Sequence, residues 1–258
     1  MLKGLYTAYT AMVNEQHRLD TMTNNLANAS TVGFKKEGAT SESFKDVLTV
    51  KIKDASAGHV GPELIGRNNP GVKIGENYTD YTQGSFRITD NTYDLALSGD
   101  GFFAIEFTNK AGETSTMYTR AGQFTLNREG YLVTEDGDYV LDNQSRRIRL
   151  NTLLDSKIDE NGTIYQNDVA VARIGLTDFE DYDYLEKYGE TYYRPIEGAR
   201  TTQANAEINS GYLEMSNVQV VSEMVNLIAI TRNYESSQKI IQTYDGSLEI
   251  AATQLGRV

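Results

Sequence analysis

The chain of 258 residues has no cysteine, no tryptophan, two histidines and three prolines. Without a thiol, disulfide frameworks, zinc knuckles, thiolate nucleophiles and iron–sulfur clusters are excluded, and no redox label marks a compartment. Basic side chains are the scarcer sign, 24 against 36 acidic ones, for a net charge of −12. Such a chain repels phosphate backbones and anionic headgroups, which excludes nucleic acid as a partner. No run of 18 apolar residues is present, so no membrane insertion by a helix is expected. The opening MLKGLYTAYTAMVNEQHRLD lacks the unbroken apolar stretch and small-residue cleavage site of a secretory signal peptide, so any export is expected to use another route. Asn-x-Ser/Thr tripeptides at Asn28, Asn77 and Asn161 read as chance in a chain rich in these residues.

Periodicity then divides the chain. Leu5, Met12, Leu19 and Leu26 stand seven apart, with Leu2, Ala8, Met22 and Ala29 three residues to one side, which predicts one helix over about 2–28 with a narrow apolar seam. It ends where turn and β-branched residues take over at Asn28-Ala-Ser-Thr-Val-Gly33. At the other end Leu213, Val220, Leu227, Tyr234, Ile241, Leu248 and Leu255 keep the same spacing. A second row, four residues on from Val220, runs Met224, Thr231, Gln238, Asp245 and Ala252 and is apolar only at its ends. Ser216 with Gln219 fits a capping box, placing the helix start near Ser216 or Asn217 and its length at roughly 60 Å. Gln238 and Asp245 are expected to face a second partner or a watery lumen.

The middle reads as strands. Short apolar or alternating runs at 85–89, 94–97, 102–107, 117–126, 131–134 and 139–141 are separated by Gly, Asn and Asp. Asp136-Gly137 predicts a two-residue hairpin turn, and Asn161-Gly162 leads into a further pair formed by 163–165 and 169–176. Residues 1–36 carry +2 and 213–258 carry −2, so the middle holds the whole net charge. Asp178, Glu180, Asp181, Asp183, Glu186 and Glu190, with Tyr182, Tyr184 and Tyr188, read as a solvated outer loop.

Catalytic groups are hard to assemble from this inventory. His17 falls on a helix flank and His59 in a Gly-containing loop, with no spacing that links them. Asp181-Tyr-Asp183-Tyr-Leu185-Glu186 lacks the oxygen ligand and glycine that a calcium loop needs at its fifth and sixth positions. Gly99-Asp-Gly101 precedes a strand, not a helix, and offers no phosphate site. No enzyme activity, cofactor or metal is implied. Each terminal helix has an apolar stripe that it cannot bury alone, so the ends are expected to pair, to be completed by neighbouring subunits, and to be largely unfolded in the free monomer.

Four blocks carry a resemblance to a known family. Asn24-Asn-Leu-Ala-Asn-Ala-Ser-Thr-Val-Gly-Phe-Lys-Lys36 resembles the N-terminal signature of the bacterial flagellar rod and hook proteins. Gly211-Tyr-Leu-Glu-Met-Ser-Asn217, with Glu223-Met-Val and Arg232-Asn-Tyr-Glu235, resembles that family's C-terminal helix. Asp94-Leu-Ala-Leu-Ser-Gly-Asp-Gly-Phe-Phe103 and Tyr118-Thr-Arg-Ala-Gly-Gln-Phe124 resemble its β domain. The resemblance implies an axial subunit in the basal body, exported unfolded by the flagellar type III apparatus and polymerising with itself and with other rod and hook subunits. It also implies that Asn25, Leu26, Asn28, Gly33 and Phe34 shape the exit from the first helix, with Phe34 as an anchor.

The expected fold class is α+β: terminal helices pairing as a coiled coil, and a central, mainly antiparallel β domain. The expected divisions are 1–36 with 211–258 as the helical assembly domain, 37–80 as an extended insertion, and 81–210 as the β-rich domain. The expected assembly interface is Leu5, Met12, Leu19, Leu26, Asn25, Asn28, Gly33, Phe34, Val220, Leu227, Tyr234, Ile241, Leu248 and Leu255. A length of 258 suits a rod protein better than a hook protein; a hook-type subunit and a non-flagellar surface binding protein are the competing readings. A proximal-rod member stays open beside a distal one, because Ala55-Ser-Ala-Gly-His-Val-Gly61 within the insertion carries no specific match.

Overall fold

The computed structural model describes residues 2–51, 63–110 and 112–255; His59 and the segment Ala55 to Gly61 lie outside them. The described chain divides into two units. One holds residues 1–26, 37–80 and 220–258, the other 27–36 and 81–219. The insertion 37–80 therefore groups with the helices, and the stretch 27–36 with the β-rich unit.

In the first unit, α1 (Leu2–Ala27) ends where the seam ends. Helix α2 (Val220–Leu255) has 36 residues, about 54 Å of helix, and starts later than the capping signal implied. Ser216 Oγ instead accepts the Val218 N–H at 3.2 Å, closing a local turn. A serine that bonds two residues ahead competes with helix initiation at its own position. The insertion is regular: β1 (Glu37–Ser43) pairs antiparallel with β4 (Val72–Thr79), and inside that pair β2 (Val47–Lys51) pairs with β3 (Glu63–Asn68). Both ladders carry a bulge, at Ala39/Ser41 and Thr49/Val50.

The second unit begins with β5 (Phe86–Ile88), β6 (Leu95–Ser98), β7 (Phe102–Thr108) and β8 (Thr114–Thr119). Then come β9 (Phe124–Leu126), β10 (Leu132–Thr134), β11 (Tyr139–Val140), β12 (Ser156–Ile158), β13 (Thr163–Gln166) and β14 (Val169–Arg173). It closes with β15 (Leu176–Phe179), β16 (Leu185–Tyr188), β17 (Tyr192–Pro195), β18 (Thr201–Gln203), β19 (Glu207–Ser210) and β20 (Tyr212–Glu214). The largest sheet runs β16-β17-β8-β7-β11-β10-β9, with β15 sharing an edge of β7 and carrying β18. All of its pairs are antiparallel.

Strand β7 explains the unbroken apolar run at its centre. Phe103 points into a core with Leu95, Phe124, Leu132, Ile164 and Ile208, while its neighbour Phe102 points the other way, to Phe179, Leu185 and Tyr193. A strand covered on both faces needs no polar alternation. The run 117–126 is broken into two strands because the chain at Gly122 passes directly over Leu95, whose N–H donates to the Gly122 carbonyl at 2.9 Å.

The acidic tyrosine segment is not a loop. Tyr182–Tyr184 form a single 3₁₀ turn and Leu185–Tyr188 a strand, with Tyr182 packed 4.8 Å from the Tyr81 ring and 5.8 Å from that of Phe102. Glu180, Asp181, Asp183, Glu186 and Glu190 stay exposed. Burial of one tyrosine and Leu185 outweighs the polar composition that pointed to a solvated loop.

The Asp136-Gly137 hairpin turn differs from expectation. Asp136-Gly137 sits in a three-residue loop: Thr134 N–H donates to the Asp138 carbonyl at 2.8 Å, and Gly137, at φ +95°, is its left-handed residue. The two-residue turn is Asn167-Asp168 between β13 and β14, with φ of +52° and +62° and Gln166 opposite Val169. Two left-handed positions match the strand twist, and glycine fills the second better than aspartate does. Asp168→Gly is thus expected to stabilise the protein by about 0.5–1 kcal/mol, read as a rise in Tm; a fall would show that the Asp168 side chain supports the turn.

Candidate functional site

The candidate functional residues fall into two groups, one within the helical unit and one within the β unit. Helix α1 presents two stripes. Leu5, Met12, Leu19 and Leu26 are half-buried, as is Gly4, where a methyl group would collide with the Tyr244 hydroxyl of α2. The terminal helices pack together, as their spacing implies, and Gly4 is the small residue that lets the Tyr244 ring lie against α1.

The other stripe of α1 is polar and serves the insertion. Lys3 Nζ donates to Thr49 Oγ1 at 3.1 Å, Thr7 Oγ1 to the Pro70 carbonyl at 3.3 Å, and Asn14 Nδ2 to Ser41 Oγ at 2.8 Å. Asn25, fully buried, completes the row: its Nδ2 donates to the Glu37 carbonyl at 2.7 Å, and its Oδ1 accepts the Glu37 N–H at 2.9 Å. A side-chain amide that satisfies both backbone groups of one residue acts as a rung of ladder, and here it fixes the start of β1 against the helix it has just left.

On α2 the covered seam runs Glu223, Leu227, Ile230, Tyr234, Ser237, Ile241, Tyr244 and Ala251, with Thr231, of the expected second row, and Gly246 half-buried beside it. The alternation of four and three is that of a heptad seam. The row through Leu227, Tyr234 and Ile241 stands as expected, but Val220 and Leu248 are exposed at 39% and 40%. The side chain of Leu255 lies outside the described residues. The second row lies three residues on from the first, not four. Gln238, Asp245 and Ala252 are exposed and Met224 is 48% exposed. Ile230, Tyr244 and Ala251 make the +3 row the more apolar, which is the signal the four-residue spacing passed over.

Between the helices the chain forms a clasp, within the β unit. Asn28 is buried and accepts the Thr31 hydroxyl at 3.1 Å. Gly33 adopts φ +69°, donates its N–H to the Glu214 carbonyl at 2.8 Å, and lies so close to the Arg120–Ala121 backbone that a Cβ has no room. Phe34 is fully buried beneath Lys187, whose Nζ stands 4.0 Å from the ring centroid, so it anchors within its own β unit.

Sequence reasoning missed Lys35 and Glu214. Lys35 Nζ lies 2.5 Å from Glu214 Oε1 and 2.8 Å from the Thr82 carbonyl, with both side chains almost wholly buried. The Gly84 N–H donates to the same carboxylate oxygen at 3.0 Å, and Arg120 Nη1 is 3.5 Å from Oε2. Next to it Asn217 Oδ1 accepts the Lys36 N–H at 2.8 Å, and Val32 bridges Met215. Both charges stood in the motif blocks quoted above, but a lone Lys or Glu carries no sign in sequence of whether water reaches it.

Among the described residues no group of three or more acidic, His or Cys side chains is placed to hold a metal ion, and no helix is long and apolar enough to cross a membrane. His17 is half-buried on α1. A cavity of about 700 Å³ in the β unit is lined by amides such as Gln83, Asn143, Asn161 and Gln203.

Comparison with known proteins was consistent along the whole chain. Residues 5–35 match a family described as flagella basal body rod protein, 96–166 the flagellar hook protein FlgE/F/G D1 domain, and 209–255 the flagellar basal body rod FlgEFG protein C-terminal region. The chain is 35% identical to the flagellar basal-body rod protein FlgG of Bacillus subtilis, over 96% of this chain and 97% of that one. It is 34% identical to the flagellar basal-body rod protein FlgF of Caulobacter vibrioides, with all of both chains covered. The flagellar hook-basal body complex protein FlhO of Bacillus subtilis is 31% identical, again over both full lengths.

Removing one member of a buried ion pair leaves the other uncompensated, at about 3–5 kcal/mol. Lys35→Met and Glu214→Gln are each expected to lower stability by about that amount, measured by denaturant unfolding of the full chain. The double variant is expected to lose less than the sum; strict additivity would mean that the two side chains do not act as a pair.

Proposed function

The chain belongs to the flagellar basal-body rod protein family and is a structural subunit of that rod; on this premise we propose that it polymerises through its two terminal helices. The observation that carries this is the unfinished surface of the helical unit. Helix α2 is covered along one heptad seam, yet Val221, Val225, Ile228 and Ile250 remain between 52% and 78% exposed on the rest of its circumference. Apolar side chains repeated along a helix, and left in water, lower their free energy by finding another surface.

In this reading the β unit is the already folded part, and the helices supply the contacts between subunits. Leu5, Met12, Leu19, Leu26, Leu227, Tyr234 and Ile241 form the seam within one subunit, and the exposed Val220 and Leu248 belong to contacts between subunits. Asn25 fixes the start of β1 within the helical unit, and Asn28, Gly33 and Phe34 order the stretch 27–36 within the β unit. The subunit works with other rod and hook components, leaves the cell through the flagellar type III apparatus, and performs no catalysis.

Limited proteolysis of the monomer, followed by mass spectrometry, tests the reading. A fragment close to residues 27–219 is expected to survive while both ends are cut, and the ends are expected to become resistant in the polymer. Deleting residues 1–26 is expected to abolish polymer formation. A monomer that resists along its full length, or a truncated chain that still polymerises, would overturn the assignment of assembly to the helices.

A further inference from the structure

Among the described residues two apolar surfaces of the helical unit lack a cover, and they match each other. On α2, Val221, Val225 and Ile228 are exposed at 78%, 61% and 52%, and steps of four and three put them on one face, about 10 Å long. Over residues 221–231 the sole charged side chain is Glu223, and it is buried on the seam.

The other surface is a groove of about 400 Å³ formed by the first turns of α1 and strand β2. Tyr6, Val47, Leu48, Val50 and Pro70 line it, and among the described residues that line it Lys3 alone is charged. Tyr6, Val47 and Leu48 are exposed at 64%, 56% and 57%. The β2–β3 pair is a two-stranded ribbon, which is marginal in water without a third layer on its apolar side chains. Strand β2, five residues long, reaches about 17 Å, enough to take the helical stripe.

We propose that the Val221–Ile228 stripe of one copy seats in the Tyr6–Val47–Leu48 groove of the next. A second copy is the fitting occupant because both surfaces are nearly uncharged, similar in extent and present on every chain. Face-to-face pairing of two α2 stripes would close a dimer and leave both grooves open. Stripe into groove covers both surfaces in one kind of contact and leaves a free groove at one end and a free stripe at the other. That is a heterologous interface, and it propagates. The inference rests on polymerisation through the helical unit and adds which surfaces meet.

The absence of cysteine makes the contact directly measurable. Full-length protein carrying both Val225→Cys and Leu48→Cys, polymerised and then oxidised, is expected to give a ladder of covalent dimers, trimers and higher species on a non-reducing denaturing gel. An equimolar mixture of the two single variants is expected to stop at dimers, and each single variant alone to stay monomeric. Val225→Asp is expected to leave the circular dichroism of the monomer unchanged and to raise the critical concentration for polymerisation at least tenfold.

Disulfide dimers of Val225→Cys alone would mean that the α2 stripes pair face to face and would overturn the proposal. Polymers that form normally but give no ladder, or a Val225→Asp chain that polymerises like the parent, would overturn this contact and leave the rod reading standing. A parent chain that never polymerises would overturn both.

Discussion

Lys35 and Glu214 are 179 residues apart in sequence and meet 2.5 Å apart where water does not reach. Neither side chain could be buried there alone, because a charge taken out of water needs an opposite charge and hydrogen bonds to replace its hydration. The Thr82 carbonyl, the Gly84 N–H and Arg120 supply the remainder. The pair therefore makes the two ends of the β unit interdependent: residues 32–36 are held only when 212–217 are in place, and the reverse. Gly33 adds a steric condition, since its left-handed backbone passes too near Ala121 for any side chain. The chain consequently enters and leaves the β unit side by side, and whatever precedes residue 32 or follows residue 217 starts from one fixed place.

Much of this was legible from local pattern. The seven-residue spacing located α1 to within a residue and most of α2, because an apolar stripe that must meet a partner repeats at the helical period whatever that partner is. The pair β13–β14 followed from the Asn161-Gly162 turn that leads into it and the apolar runs beyond. Three things were not legible, each for a physical reason. Residues 37–51 and 63–80 hold few buried apolar side chains, so a ribbon pinned to α1 by Thr7, Asn14 and Asn25 left no alternation to read. The second row of α2 was placed at Met224 and Asp245 because periodicity alone does not separate a step of three from one of four; the buried Glu223 on the true row disguised it further. The burial of Lys35 is a property of the assembled neck and has no local signature.

Helix α1 explains why the helical unit is built to remain incomplete. Its polar stripe meets the ribbon and its apolar stripe meets α2, and Tyr6, Tyr9 and Val13 on the remainder of its surface stay exposed. It is also the shorter helix, 26 residues against 36, or about 39 Å against 54 Å. Among the described residues, neither the far end of α2 nor the face through Val221, Val225 and Ile228 is covered. A soluble monomer with such a helix would ordinarily associate without order. The charge distribution opposes that: the helical termini are close to neutral, while residues 37–212 hold the whole net charge of −12. Random collisions bring like-charged regions together and are repelled over about 8–10 Å at physiological salt, whereas an approach that aligns the uncharged helical surfaces meets no such barrier. Apolar surface thus supplies the attraction, and the placement of the charge selects the orientation in which it acts.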